Sequence, residues 1–315
     1  MNTPAQPPGT ERPAARGFPK SPLLAVAVIA VVVAAAAVLV PWGPPPEVYL
    51  IGNSLTQDLL SEPDHDATGA DAAAGSGFGA LLGGGRTHGA SLRWGQPLRA
   101  AAEDPPRGLR GGGHAQVVLQ PWSAPVLGDG TATEPVSTYA QERAAFAGLA
   151  RLAAPARVFL YATWADAGET DRGSDAVLRR WARPFAGEGA PFYASGPVYE
   201  RLEADLAADG LRPAVIPAGA VFAELIAADN GIGAAELMRD GLHASRLGRY
   251  AAAATAAAVM MGADPAELPL PGYYTLSGPV GGSPSPPVTA AQAEAVRSAV
   301  SRVLAAPAPA PPAGG

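Results

Sequence analysis

Three side chains in this sequence have the types and neighbours needed to make a serine hydroxyl reactive: Ser54, Asp240 and His243. A Ser hydroxyl is a poor nucleophile until a base takes its proton, and a His suits that role because its ordinary pKa is about 6.5. The base needs an orienting partner of its own. In Arg239-Asp240-Gly241-Leu242-His243-Ala244-Ser245 the Asp stands three residues before the His on a turn that Gly241 permits. From there a carboxylate reaches the ring nitrogen facing away from the Ser and fixes the tautomer. Ser54 lies in Val48–Leu60, where an apolar strand ends in Gly52-Asn53-Ser54-Leu55-Thr56 and passes into a helix. A Ser so placed sits at the carboxyl edge of a sheet, where open α/β folds bind ligands, and beside a helix N-terminus that favours developing negative charge. Each segment also has a plainer explanation: Asn53 or Ser54 as a helix cap, and Asp240-Gly241 as a turn before a helix capped by Ser245. The chemistry rests on the two occurring together.

Those residues need a frame, and the patterning supplies one. Short β-rich runs at 48–51, 116–119, 157–163 and 213–217 each lead through a turn into a helix candidate, with a weaker strand near 84–90. Helices are predicted over 137–152, 174–186, 198–208, 219–228 and 245–261, and a last one from Thr289 to Leu304. A βα rhythm of this kind predicts an α/β fold, a flavodoxin-like three-layer α/β/α sandwich around a mostly parallel five-stranded sheet.

The pair of motifs resembles the SGNH (GDSL-like) hydrolases over most of Glu47 to Gly262: GNSLT is similar to their first block, usually GDS, and DGLH to their last, DxxH. Asn53 in place of the usual Asp, with VVLQ and a Trp after the fourth strand, is similar to a bacterial GNSxT-type subgroup. The resemblance implies Ser54 as nucleophile, His243 as general base and then acid, and Asp240 as the residue orienting His243. It also implies an oxyanion hole of the Ser54 N–H, a Gly after the second strand and an Asn side chain after the third. Gly89, within Gly84–Leu92, is the closest match to that Gly, although this Gly-rich stretch is equally read as a flexible loop. The Gly-x-Asn-Asp pattern is absent. Gln120 stands in Gln120-Pro121-Trp122-Ser123 instead, with the same amide donor on one more methylene. It either substitutes in the hole or satisfies local backbone groups, and a lost donor there costs about 10²–10³ in turnover. Asn53, Trp122 and Trp164 are weaker candidates for contacting substrate, the two Trp as aromatic surface for a sugar ring or an acyl group. The implied activity is ester hydrolysis through an acyl-enzyme, which needs no cofactor. The alternative is an SGNH-like domain with a decayed oxyanion hole that binds a glycan or a protein partner at the same rim.

Composition narrows the remaining possibilities. The chain has 315 residues, 48 % of them hydrophobic, and a net charge of −6 with no block of basic residues in its body, so a nucleic-acid partner is excluded. Without Cys, disulfides, thiolate metal sites and a Cys nucleophile are excluded too. Asp64-His65-Asp66 has metal-ligand residue types but no further ligand cluster, and no metal is expected. Residues 1–20 predict a short cytoplasmic tail, 42–46 a Pro-rich spacer, 47–305 the hydrolase-like domain and 306–315 a Pro/Ala-rich tail. Between them, 21–41 is apolar and uncharged at the length that crosses a hydrocarbon core of about 30 Å, longer than the roughly 7–15 apolar residues of a secretory signal. Arg12, Arg16 and Lys20 precede it and no Lys or Arg follows before Arg86. That asymmetry predicts a single-pass anchor with the N-terminus in the cytoplasm and the domain outside. Acyl esters on envelope glycans or lipids are then the natural substrates.

Overall fold

A computed structural model describes residues 47–61, 76–83, 86–121, 137–168 and 173–306. The tail, anchor and spacer expected over 1–46, the Asp64-His65-Asp66 triplet, Trp122 and the closing residues 307–315 lie outside the described residues. Among the described residues no helix is long and apolar enough to cross a membrane.

Five parallel strands form the central sheet in the order β2-β1-β3-β4-β5: β1 (Val48–Gly52), β2 (His88–Leu92), β3 (Gln116–Leu119), β4 (Arg157–Tyr161) and β5 (Ala214–Ile216). Successive side chains on a strand point to opposite faces, and the core divides accordingly. Val48, Leu50, Val118, Phe159, Tyr161 and Ile216 enter one apolar layer, while Tyr49, Ile51, Val117, Leu119 and Leu160 enter the other. The first layer is closed by α1 (Ser54–Leu60), α2 (Gly77–Leu81), α8 (Ala218–Ala227), α10 (Arg246–Met261) and α12 (Ala290–Ala305). The second is closed by α3 (Leu98–Glu103), α4 (Arg107–Gly111), α5 (Tyr139–Leu152) and α7 (Gly196–Ala208). The chain therefore forms the expected α/β sandwich.

Local sequence explains most of the boundaries. Thr138 with Gln141 and Thr289 with Gln292 form reciprocal capping boxes at the starts of α5 and α12. The strand expected at 84–90 is β2 at His88–Leu92, because its pairing with β1 rather than its own weak β character sets its ends. The helix expected at 174–186 is α6 (Ser174–Trp181), which stops short of Pro184. A turn, α9 (Ala234–Leu237), leads toward α10, and a small hairpin of β6 (Gly278–Val280) and β7 (Ser283–Ser285) follows α11 (Gly272–Thr275).

Helix α10 is buried almost all round, which its alanines allow, and it touches α1, α2, α8 and α12. Gly248 in its first turn packs against the Leu237 carbonyl; a Cβ there would clash with that oxygen and lie 3.0 Å from Phe222 and 3.1 Å from the Ala244 Cβ. Gly248→Ala should therefore destabilise the fold by about 1–3 kcal/mol, although Ala is the better helix former. Denaturant unfolding measures this, and an unchanged or raised midpoint would show the contact to be slack.

Candidate active site

The turn from β1 into α1 is held from within and from β3. Asn53 caps α1, its Oδ1 accepting the Leu55 N–H at 3.0 Å, which makes Ser54 the first helical residue. A Cβ on Gly52 would clash with Thr56 Oγ1 and lie 2.6 Å from Gln120 Oε1, so only Gly fits there. The Gln120 oxygen accepts the Asn53 N–H at 3.1 Å and the Thr56 hydroxyl at 2.6 Å. A main-chain N–H can only donate, so the amide oxygen must be the atom facing the turn. The amide nitrogen is left to donate toward the Pro121 carbonyl at 3.4 Å. Gln120, fully buried, is thus a strut under the turn instead of the oxyanion donor that an Asn equivalent would be.

The Asp240–His243 segment is closed equally tightly. Met238 bridges Ala244, and the Arg239 N–H donates to the His243 carbonyl at 2.9 Å. Asp240 Oδ1 accepts the N–H groups of Leu242 and His243 at 3.0 and 2.7 Å, a turn for which Gly241 takes φ +88°. Its Oδ2 faces His243 Nδ1 at 2.8 Å. On the far side of the ring, His243 Nε2 lies 3.0 Å from Ser54 Oγ, joining residues 189 apart in the chain. Partial burial by itself would raise the Asp240 pKa, but the ring N–H of His243 and the two backbone N–H groups hold the carboxyl well below the usual range. An ionised carboxylate only accepts, so Nδ1 carries a proton, and in the neutral ring the Nε2 lone pair then faces the Ser54 hydroxyl.

Other expected contacts are redistributed. Gly89 lies inside β2 opposite Tyr49, and it is Leu92 that pairs with Gly52. At about 3.3 Å per residue Gly89 is roughly 10 Å short of the strand end that reaches Ser54, so it is not an oxyanion residue. The segment that arrives there is Arg93-Trp94-Gly95-Gln96: the Arg93 N–H donates to the Gly52 carbonyl at 2.8 Å, and the Gln96 N–H closes a turn onto Arg93 at 3.0 Å. Gly95 takes φ +61° in that turn, and the N–H groups of Trp94 and Gly95 have no partner among the described residues. Asn53, expected to contact substrate, is buried, capping α1 and donating weakly to Gln96 O at 3.5 Å. Trp164 is not on the rim either. It is buried, stacked on Phe222 with centroids 4.3 Å apart, and its indole N–H holds the Leu242 carbonyl at 2.7 Å. Among the described residues, the exposed aromatic of this edge is Trp94, 63 % accessible. Two more contributions escaped the sequence pattern: Ala167, whose N–H holds the Gly241 carbonyl at 2.6 Å, and Asp58, buried one helical turn beyond Ser54, which accepts the Ala244 N–H at 2.8 Å.

A group whose folded-state pKa is depressed stabilises the fold above its unfolded pKa and loses that contribution as the pH falls through the folded value. For Asp240 the loss begins below the ordinary carboxylate value of 3.8. Asn at this position cannot ionise. The gap in unfolding midpoint between wild type and Asp240→Asn should be level above about pH 5 and shrink in stronger acid. A gap that stays constant down to strong acid would rule out the ionised carboxylate as its source.

No protein-family model and no curated protein matches the chain. Several solved structures do. A DUF4886 family protein from Bacteroides uniformis is 16 % identical, with 82 % of this chain and 93 % of that one covered at a TM-score of 0.49. A GDSL-like lipase from Bacteroides thetaiotaomicron is 16 % identical over 74 % and 95 % of the two chains, with a TM-score of 0.40. A catalytic mutant of an acetylxylan esterase from Geobacillus stearothermophilus is 14 % identical over 70 % and 94 %, with a TM-score of 0.38. Within this chain itself, Ser54 follows β1 of a β2-β1-β3-β4-β5 parallel sheet and Asp240-Gly241-Leu242-His243 precedes the buried helix α10.

Proposed function

We propose that this protein is a serine esterase of the SGNH type, of the subgroup with Asn in the first block, which cleaves an acyl ester through an acyl-enzyme. The observation that carries this is the continuous chain Ser54 Oγ, His243 ring, Asp240 carboxylate, with contacts of 3.0 and 2.8 Å. His243 Nε2 takes the Ser54 proton as Oγ attacks the ester carbonyl, and the Asp240 carboxylate stabilises the imidazolium that results. The tetrahedral oxyanion lies toward the Ser54 N–H at the start of α1. The N–H groups of the Trp94-Gly95 turn, not Gly89, supply the second side of the hole. His243 then protonates the departing alkoxide. Water attacks the acyl-Ser54 by the same route in reverse, and no cofactor enters.

The segment 21–41 is the anchor in this scheme, with the N-terminus cytoplasmic and the catalytic domain outside the membrane. Substrates are then acyl groups carried on envelope glycans or lipids. The exposed Trp94, one residue beyond the strand pairing that ends beside Ser54, offers a flat apolar face to a sugar ring or an acyl group.

A fragment from about residue 44 should hydrolyse a short-chain aryl ester and react with a fluorophosphonate probe. Ser54→Ala and His243→Ala should each lower kcat by a factor on the order of 10³–10⁶, with Ser54→Ala abolishing labelling. Hydrolysis and labelling that survive Ser54→Ala would overturn the esterase assignment.

A further inference from the structure

Ser54 and Asp58 stand four residues apart on α1, so both project from one face of the same helix. Ser54 meets His243. Asp58, 1 % exposed, meets the residue after it: Oδ2 accepts the Ala244 N–H at 2.8 Å, while Oδ1 takes Arg239 Nη1 at 3.0 Å. The same Arg239 Nη1 donates to the Ala244 carbonyl at 2.6 Å. Both backbone polar groups of Ala244 are therefore gripped, one by the carboxylate and one by the guanidinium that pairs with it. Arg239 is held in turn from outside. A Cβ on Gly281, in the β6–β7 turn, would lie 2.7 Å from its Cζ, so the turn backbone lies against the guanidinium. Arg249 from α10 reaches the same carboxylate at 2.9 Å and also donates to the Tyr273 hydroxyl at 2.7 Å.

We propose that Asp58 and Arg239 are a positioning pair for His243: by fixing Ala244 against the helix that carries Ser54, they set the Ser54 to His243 distance. The proposal rests on the esterase assignment for its kinetic consequence but not for its geometric one. A hydrogen bond of 3.0 Å has little tolerance, and a 1 Å displacement of a catalytic group costs on the order of 10²-fold in rate. Arg249 serves the same carboxylate from α10, and its role is to balance the buried charge.

Arg239→Met, Arg239→Lys and Arg249→Met in the full chain separate positioning from bulk stability. Steady-state kinetics with an aryl ester and the low-field proton resonance of His243 Nδ1–H, assigned by its loss in His243→Ala among the four His of the chain, are both read well below each unfolding midpoint. Arg239→Met should lower kcat by roughly 10²-fold with KM changed by less than about twofold, and should shift or broaden the His243 resonance. Arg239→Lys, which keeps a donor, should recover part of both. Arg249→Met should lower the unfolding midpoint but keep the resonance. The proposal is overturned if folded Arg239→Met retains the wild-type kcat and resonance. It is also overturned if Arg249→Met perturbs both as strongly at an equal loss of stability. Should Arg239→Met not fold, Arg239→Lys against Arg249→Met carries the same comparison. If wild type shows no turnover dependent on Ser54, the esterase assignment fails and the resonance alone decides the positioning role.

Discussion

A carboxylate with almost no access to water has to be matched by charge and hydrogen bonds from the protein itself, and Asp58 is such a carboxylate. Its partners come from a single stretch far along the chain: Arg239 and Ala244 on the turn after α9, and Arg249 on α10, separated from it by 181, 186 and 191 residues. Leaving such a charge unpaired costs about 3–5 kcal/mol, so the turn carrying Arg239 and Ala244 is held against α1 in one register. That register decides which residue of the turn faces Ser54.

The site then follows from the sheet. Parallel pairing of β1 with β2 and β3 brings Ser54, the Arg93–Gln96 turn and Gln120 to one carboxyl edge. None of the three is held by its own segment alone. Gln120 on the β3 side satisfies the backbone of the β1–α1 turn, and Trp164, stacked in the core on Phe222, anchors the carbonyl of Leu242. The buried side chains of Asn53, Thr56, Asp58 and Gln120 are each hydrogen-bonded, so the edge is stiff beside Ser54. An ionised Asp240 then leaves only one tautomer for His243, with its basic nitrogen on the serine side.

Much of this was legible in the sequence. The β-rich runs marked four of the strands well, and GNSLT with DGLH identified the two turns that meet, because each carries local signals: a Gly at a tight approach, an Asx cap, an Asp-Gly turn. The errors have a common physical origin in tertiary pairing. HGASL has little β propensity of its own, so pairing with β1 sets where β2 ends, and the turn after Leu92 rather than Gly89 arrives beside Ser54. Gln120 looked like a donor because side-chain type does not reveal which end of an amide a distant backbone N–H will claim. Trp164 looked like rim aromatic surface, but its ring is taken up by Phe222 from α8. Nothing local marks Asp58 as buried, because its three partners lie more than 180 residues away.

The central claim is that Ser54 carries the acyl group in a two-step reaction. Acid quenching of the protein during turnover of an aryl ester, followed by intact and peptide mass measurement, tests it directly. The account predicts a transient mass increase equal to the acyl group, located on the peptide containing Ser54 and absent from Ser54→Ala. Turnover with an unmodified Ser54, or acylation that persists in Ser54→Ala, would contradict it.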